Sequence, residues 1–125
     1  MLFDTDILIW VQRGNKKAAD LIERTNDRLI SVLTYLELMQ CANNKEQHNF
    51  IKKFLKDFNF ETLPLTENIG HRASIYIEEY SLSSGLKSGD AIIAATAVEL
   101  NLILSSCNIK HYKNINDLQL KPFKP

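Results

Sequence analysis

The first residues with a clear potential for chemistry are two acids and a hydroxyl near the start of the chain. Asp4, Thr5 and Asp6 directly follow the apolar run 1–3. Ligands of open parallel α/β sheets bind beyond the carboxyl ends of the strands, where such residues would lie. A carboxylate at the end of a central strand is largely desolvated and needs a cation or a cluster of donors. We therefore predict a site role for Asp4, whereas Asp6 could join the site or cap the following helix.

A second candidate acid is isolated in an apolar segment. Glu37 is the single charged residue within positions 29–44. On a helix that begins near Leu33, it shares a face with Thr34 through i+3 spacing. Glu37 could lie on the exposed edge of that helix, but a lone acid beside a strand end favours a metal ligand.

The third candidate acid is Asp90, which precedes the uncharged run 91–98. An acid at a helix start can satisfy free backbone N–H groups, or it can belong to a site at the same edge of the sheet. Ser106 and Asn108 follow another apolar run and could orient waters or phosphate oxygens. The sequence thus predicts three acids, Asp4, Glu37 and Asp90, with Thr5, Asp6, Thr34, Ser106 and Asn108 in support.

Three carboxylates around one pocket repel one another unless a divalent cation neutralises them. Hard oxygen ligands favour Mg²⁺ or Mn²⁺ over zinc, and no cysteine and histidine spacing typical of a zinc site is present. Such metal sites act on phosphate esters by activating water and stabilising transition-state charge. No phosphate-binding glycine-rich loop competes with this interpretation, because the chain has only four glycines and they do not cluster.

The elements that must position these acids alternate between strands and helices. Short apolar runs predict buried strands at Met1–Phe3, Leu29–Leu33, Phe60–Leu65, Leu102–Leu104 and Leu118–Leu120. Segments of helical periodicity lie at 18–22, 50–58 and 69–80. This alternation predicts an α/β fold in which a mostly parallel sheet of about five strands is covered on both faces. The 125 residues suit a single domain over 1–125.

The charge balance excludes a protein that coats a polyanion by bulk charge. Fifteen basic residues balance fifteen acidic ones. Two basic clusters nevertheless occur, and each could be a solvated surface or a contact with a phosphate backbone. They comprise Lys45, Lys52, Lys53 and Lys56, and Lys110, Lys113, Lys121 and Lys124. No signal peptide or membrane-length apolar segment is visible, so we expect a cytoplasmic protein without a membrane partner.

Four segments in order resemble the PIN-domain ribonucleases, most closely the VapC-type toxins of bacterial toxin–antitoxin modules. The similar segments are the opening strand and acid in residues 2–9, the helix with the Ser/Thr-x-x-Glu-Leu pattern in residues 31–38, and the Asp-x-x-Ile-Ala-Ala-x-Ala helix at 90–97. Residues 106–112 are similar to the family's Thr-x-Asn/Asp-x-x-x-Phe segment. Each segment is weak alone, but together they span essentially the whole chain.

The resemblance implies a three-layer α/β/α fold and Mg²⁺- or Mn²⁺-dependent hydrolysis of RNA, with tRNA or rRNA as the substrate. It also implies a homodimer and a cognate VapB-type antitoxin that enters the acidic site. By position, Asp4, Glu37 and Asp90 correspond to the family's acidic residues. Two departures matter: Asn108 stands where the family often has a fourth Asp, and Asp6 stands where many members have Asn.

Two alternatives remain open from the sequence. Asp4-Thr5-Asp6 also looks like the nucleophile and acid pair of haloacid-dehalogenase-type phosphatases, although Ile7 replaces their usual glycine and Ala94 a later acid. The missing fourth acid at Asn108 instead suggests a catalytically weak PIN-like module that binds RNA or an antitoxin without cutting.

Overall fold

The computed structural model describes residues 1–125 and contains one five-stranded sheet in which every neighbouring pair is parallel. The strands are β1 (Leu2–Phe3), β2 (Leu29–Ser31), β3 (Glu61–Leu63), β4 (Ile103–Ser106) and β5 (Gln119–Pro122). Their order across the sheet is β3-β2-β1-β4-β5. The predicted α/β fold is confirmed, and all the strands have the same direction.

Seven helices connect and cover the strands. They are α1 (Thr5–Gln12), α2 (Lys16–Arg24), α3 (Val32–Cys41), α4 (Lys45–Asp57), α5 (Glu67–Ser84), α6 (Ser88–Glu99) and α7 (Ile109–Tyr112). None of the seven helices combines the length with the apolar character that a membrane-spanning helix needs.

Alternate residues of the central strand bury themselves in two different cores. Leu2 joins a core with α5 and α6, while Phe3 points to the other face and joins a core with α1, α2 and α4. Both side chains are fully buried. This period of two along β1 produces the three layers. On α6, four buried alanines allow close packing, and the helix start therefore lies near the sheet edge.

All five predicted strand boundaries were shifted by one or more residues, and two of the shifts have identifiable reasons. The second strand ends at Ser31 rather than Leu33, because the Ser31 hydroxyl accepts a hydrogen bond from the Leu33 N–H and starts α3. The fourth strand continues through Ser106 because small serines are buried there and pair with β5. Pro122 fits in β5 because that strand lies at the sheet edge.

Candidate functional site

The candidate site lies where the strand order reverses, at the carboxyl ends of β1 and β4. This is the place where open α/β sheets bind ligands. A cavity of about 220 Å³ opens there. Its polar lining consists of Asp4, Thr5, Asp6, Glu37, Asp90 and Asn108. The fold thus brings together the three predicted acids and Asp6, which come from three separate stretches of the sequence.

Asp4 and Asp6 form one side of the cavity and share a hydroxyl from β4. The Ser106 Oγ lies 2.7 Å from Asp4 Oδ2 and 3.2 Å from Asp6 Oδ2. Its one proton points to Asp4 at the shorter distance. Asp4 also accepts from the Thr5 N–H, and Asp6 Oδ2 accepts from the Cys107 N–H at 3.0 Å. The other Asp6 oxygen, Oδ1, is buried without a partner.

The structure shows which acid caps α1. Asp4, rather than Asp6, is the N-cap of α1, and its side chain accepts from the Thr5 N–H. Asp6 lies within the first turn. Of the two alternatives for Asp6, the capping role is therefore wrong, because β1 ends directly before Asp4 and α1 begins directly after it.

Both carboxylates are harder to ionise than an exposed aspartate. Burial, and then the nearby charge of Asp6, raise the pKa of Asp4 to about 7 despite its hydrogen bonds from Ser106, Thr5 and Tyr112. Burial also raises the pKa of Asp6. Two such groups become stable together as anions when a cation neutralises them.

Glu37 is held at the cavity by two threonines. The Thr5 Oγ1 lies 2.7 Å from Glu37 Oε1 and 3.0 Å from the hydroxyl of Thr34. Thr5 has one proton, so it donates to the carboxylate and accepts from Thr34. The structure therefore confirms that Thr34 and Glu37 share a helix face, and it gives both threonines a positioning contact.

Asp90 is the third residue of α6 and is held mainly from α7. Its Oδ2 accepts from the Lys87 N–H at 3.2 Å and lies 2.8 Å from His111 Nδ1. The Tyr112 hydroxyl donates to Asp4 Oδ2 at 3.0 Å and lies 3.4 Å from Asp90 Oδ1. Tyr112 thus links the two sides of the cavity.

The prediction from sequence missed His111 and Tyr112 as site residues. Both belong to the short helix α7, and Tyr112 is 108 residues from Asp4 along the chain. One signal was available, because Asn108, His111 and Tyr112 share a face of any helix through i+3 and i+4 spacing. That face follows β4 directly and meets the acids.

The cavity has the donor chemistry that Mg²⁺ or Mn²⁺ prefers. It presents four carboxylates, and His111 is the single basic side chain of the protein paired with any of them. No three His, Cys, Asp or Glu side chains are close enough to enclose a metal ion by themselves. Mg²⁺ usually takes one or two carboxylates and keeps several waters, so this open arrangement fits it.

Known proteins resemble this chain along nearly its whole length. Ribonuclease VapC10 from Mycobacterium tuberculosis is 33% identical over 126 residues, covering 98% of this chain and 91% of that protein. A toxin–antitoxin complex from Klebsiella pneumoniae has a chain with a TM-score of 0.83 and 30% identity, covering 99% of this chain and 98% of that chain.

A second structural neighbour shares the fold at lower identity. VapBC2 from Rickettsia felis, bound to a DNA fragment from its promoter, has a TM-score of 0.82 at 21% identity, and 98% of each chain is covered. The PIN domain family matches residues 1–115, which include every acid of the cavity. From its sheet topology, its acidic cavity and this match, the chain belongs to the PIN-domain family.

Proposed function

We propose that this protein is an endoribonuclease toxin that hydrolyses phosphodiester bonds in RNA and is neutralised by a VapB-type antitoxin. The observation that carries the proposal is the cavity of four carboxylates at the switch point of a PIN-domain sheet. The similar ribonuclease and toxin–antitoxin complex support the same activity. Membership of the PIN family over 1–115 removes the basis for the phosphatase alternative.

We propose that the activity depends on Mg²⁺ or Mn²⁺, which Asp4 and Asp90 would hold directly and Glu37 would hold through water. When bound, such an ion supplies charge neutralisation and Lewis acidity to the phosphodiester. Asp6, with an unpartnered buried oxygen, adds negative charge on the Asp4 side. The unpartnered oxygen and the lack of any balancing Lys or Arg support a cation in this cavity.

The remaining polar residues of the cavity hold these acids in position. Thr5 and Thr34 fix Glu37, while Ser106 fixes Asp4. Asn108 lies at the cavity edge and its backbone N–H donates to Ser106 Oγ at 2.9 Å. A carboxylate whose position is fixed before the substrate binds needs no reorganisation during reaction.

An apolar groove borders the acidic cavity and suits the antitoxin. Its lining includes Ile9, Leu38, Phe50 and Ile51, and Glu37 belongs to both the groove and the cavity. Phe50 is 61% exposed. An antitoxin segment in this groove would lie directly beside the acids. Phe50→Asp should therefore prevent neutralisation by the cognate antitoxin while RNA cleavage by the free toxin continues.

A homodimer and an RNA contact through the two lysine clusters complete the proposal. Lys110 is exposed on α7, two residues from Asn108, so it lies beside the cavity. The chain acts as one domain over 1–125, since both of its cores pack on the same sheet.

Cleavage of total bacterial RNA by the purified protein tests this function. We expect discrete fragments with Mg²⁺ or Mn²⁺, none with EDTA, and none from Asp90→Asn. Asp20→Asn, which changes an exposed acid on α2, is the matched control and should cleave normally. Cleavage that persists in EDTA would contradict metal dependence. A folded protein that binds RNA or antitoxin but never cleaves would favour the binding-module alternative.

A further inference from the structure

Two side chains at the cavity edge make conflicting demands on one ring nitrogen, Nδ1 of His111. The Nδ1 atom of His111 lies 2.8 Å from Asp90 Oδ2 and 2.7 Å from Asn108 Nδ2. A ring nitrogen either carries a proton and donates, or has a lone pair and accepts. It therefore cannot donate to the carboxylate and accept from the amide at once.

The negative charge of Asp90 favours a proton on His111 Nδ1. With a proton on Nδ1, His111 donates a charge-assisted hydrogen bond to Asp90, which is about twice as strong as a neutral one. Without that proton, a lone pair would face the Asp90 oxygen at 2.8 Å. The oxygen and nitrogen of an Asn amide differ little in shape, so turning the amide over removes the conflict. Asn108 Oδ1 then accepts from the same Nδ1–H.

We infer that His111 is a positioning residue that holds Asp90 through Nδ1–H. The same Nδ1–H orients the side-chain amide of Asn108 so that its NH₂ group faces the cavity as a donor for a phosphate oxygen. This inference rests on the proposed function. Asn108 then has a different role from the Asp that often stands at this position. Its side-chain NH₂ group binds the anionic substrate, whereas a carboxylate there would bind the cation.

The surroundings of His111 support a fixed ring. Its side chain is 22% exposed, and that of Asp90 is 17% exposed. A Cβ added at Gly85 would lie 3.7 Å from His111 Nε2, so the backbone at the end of α5 closes around the ring edge. Gly85 has a φ of +71°, a conformation that favours glycine. The ring therefore presents Nδ1, and not Nε2, to the acid.

The protonated ring nitrogen can be identified directly by ¹⁵N NMR on the metal-free protein. Long-range ¹H–¹⁵N spectra distinguish a protonated ring nitrogen from one with a lone pair. We expect Nδ1 of His111 to carry a proton. A proton on Nε2 alone would overturn the inference, and this result would not depend on whether the protein cleaves RNA.

Two substitutions of the same chemistry separate positioning from simple packing. In His111→Asn the amide nitrogen occupies the place of Nδ1, whereas in His111→Gln it occupies the place of Nε2. Loss of a partner that orients a metal ligand typically costs 10–100-fold in metal affinity. We expect Mn²⁺ affinity, measured by calorimetry, to fall at least about 10-fold in His111→Gln and less than about 3-fold in His111→Asn. The reverse order, or equal affinities, would contradict the inference, because Gln fills more of the ring's volume.

Inorganic phosphate probes the proposed Asn108 donor. In the Mg²⁺-loaded protein, phosphate should shift the side-chain amide signals of Asn108, and His111→Gln should reduce that shift. Asn44, whose side chain caps α4, is an internal reference that should not move. Unchanged Asn108 signals would overturn the donor role.

Discussion

Asp4, directly after β1, and Asp6, in the first turn of α1, accept hydrogen bonds from backbone N–H groups and from a serine of β4. Asp90 on α6 and Glu37 on α3 are instead held mainly by side chains. We call the first pair the strand wall and the second pair the helix wall. On the strand wall, Asp4 is 5% exposed and its pKa is raised to about 7. On the helix wall, Asp90 and Glu37 are half-buried and contact His111 and Thr5.

The difference indicates how the site divides its tasks. The strand wall cannot move without disturbing the sheet, since the Asp4 N–H donates to the Ser105 carbonyl at 2.9 Å. The acids of the helix wall depend instead on side-chain contacts with His111 and Thr5. We infer that the backbone of the strand wall would fix the position of a bound cation, and that the side-chain contacts of the helix wall would hold the other two acids toward it.

The largest expected effect comes from breaking the strand wall. Asp4→Asn should reduce metal-dependent RNA cleavage by more than about 100-fold, because even residues behind the ligands contribute 10–100-fold. The same variant should be more stable than wild type in EDTA at pH 8, since it removes a buried charge. Cleavage and urea unfolding measure the two effects. Activity within a few fold of the Asp20→Asn control would contradict the role of Asp4.

The pH dependence of stability should separate the walls next. Asp4 titrates near 3.8 when unfolded and at about 7 when folded, so the native state holds its proton over that interval. Its contribution to stability is fully present below pH 3.8 and is lost as the pH rises through about 7. The slope approaches about 1.4 kcal/mol per pH unit for one proton.

Urea unfolding in EDTA between pH 5 and pH 8 measures this slope. Asp4→Asn should flatten it, because it removes this titrating group. Added Mg²⁺ should restore stability at pH 8 in wild type. Equal slopes in wild type and Asp4→Asn would show that Asp4 does not cause the pH dependence of stability.

A smaller effect is expected where the walls meet. Tyr112→Phe removes the buried hydroxyl that donates to Asp4 and lies near Asp90. We expect a loss of about 1–2 kcal/mol in the free energy of unfolding at pH 8, since Asp4, with a pKa of about 7, is mostly ionised there. Tyr35→Phe, at a half-buried tyrosine outside the cavity, is the control. If the two variants unfold alike, the link between the walls contributes nothing to stability.

The smallest effect should come from Lys110, an exposed residue of α7 beside the cavity. Lys110→Glu should weaken RNA binding and lower the slope of log affinity against log salt by about 0.7–0.9 for each lost phosphate contact. Binding is measured in EDTA, which prevents cleavage. Lys17→Glu, on exposed α2, is the matched control. An unchanged salt dependence in Lys110→Glu would place the RNA elsewhere.

The two walls also differ in how far the sequence predicts them. The position of Asp4 follows from one rule, because an acid directly after a buried central strand must lie at the switch point. Glu37 and Asp90 were found because they are isolated in uncharged helices. Their partners could not be found in that way. Tyr112 reaches Asp4 across 108 residues, and this contact requires the order of β1 and β4, which local periodicity does not encode.

Local competition explains the remaining errors. Ser31 is both the last residue of β2 and the N-cap of α3, and the hydrogen bond that its hydroxyl accepts from the Leu33 N–H ends the strand there. The helix cap was similarly misplaced, since Asp6 was the candidate cap of α1 whereas Asp4, two residues earlier, caps the helix as well as lining the cavity. Fold class and main acids were therefore predictable, whereas caps and side-chain partners required the structure.

Calorimetric titration of Mn²⁺ into wild type, Asp4→Asn and Asp90→Asn tests most directly whether the two walls bind one ion together. We predict that each substitution weakens Mn²⁺ binding by at least about 10-fold, with Asp20→Asn unchanged. Wild-type affinity in Asp90→Asn, together with lost binding in Asp4→Asn, would mean that the strand wall alone holds the ion and would contradict a site shared between the walls.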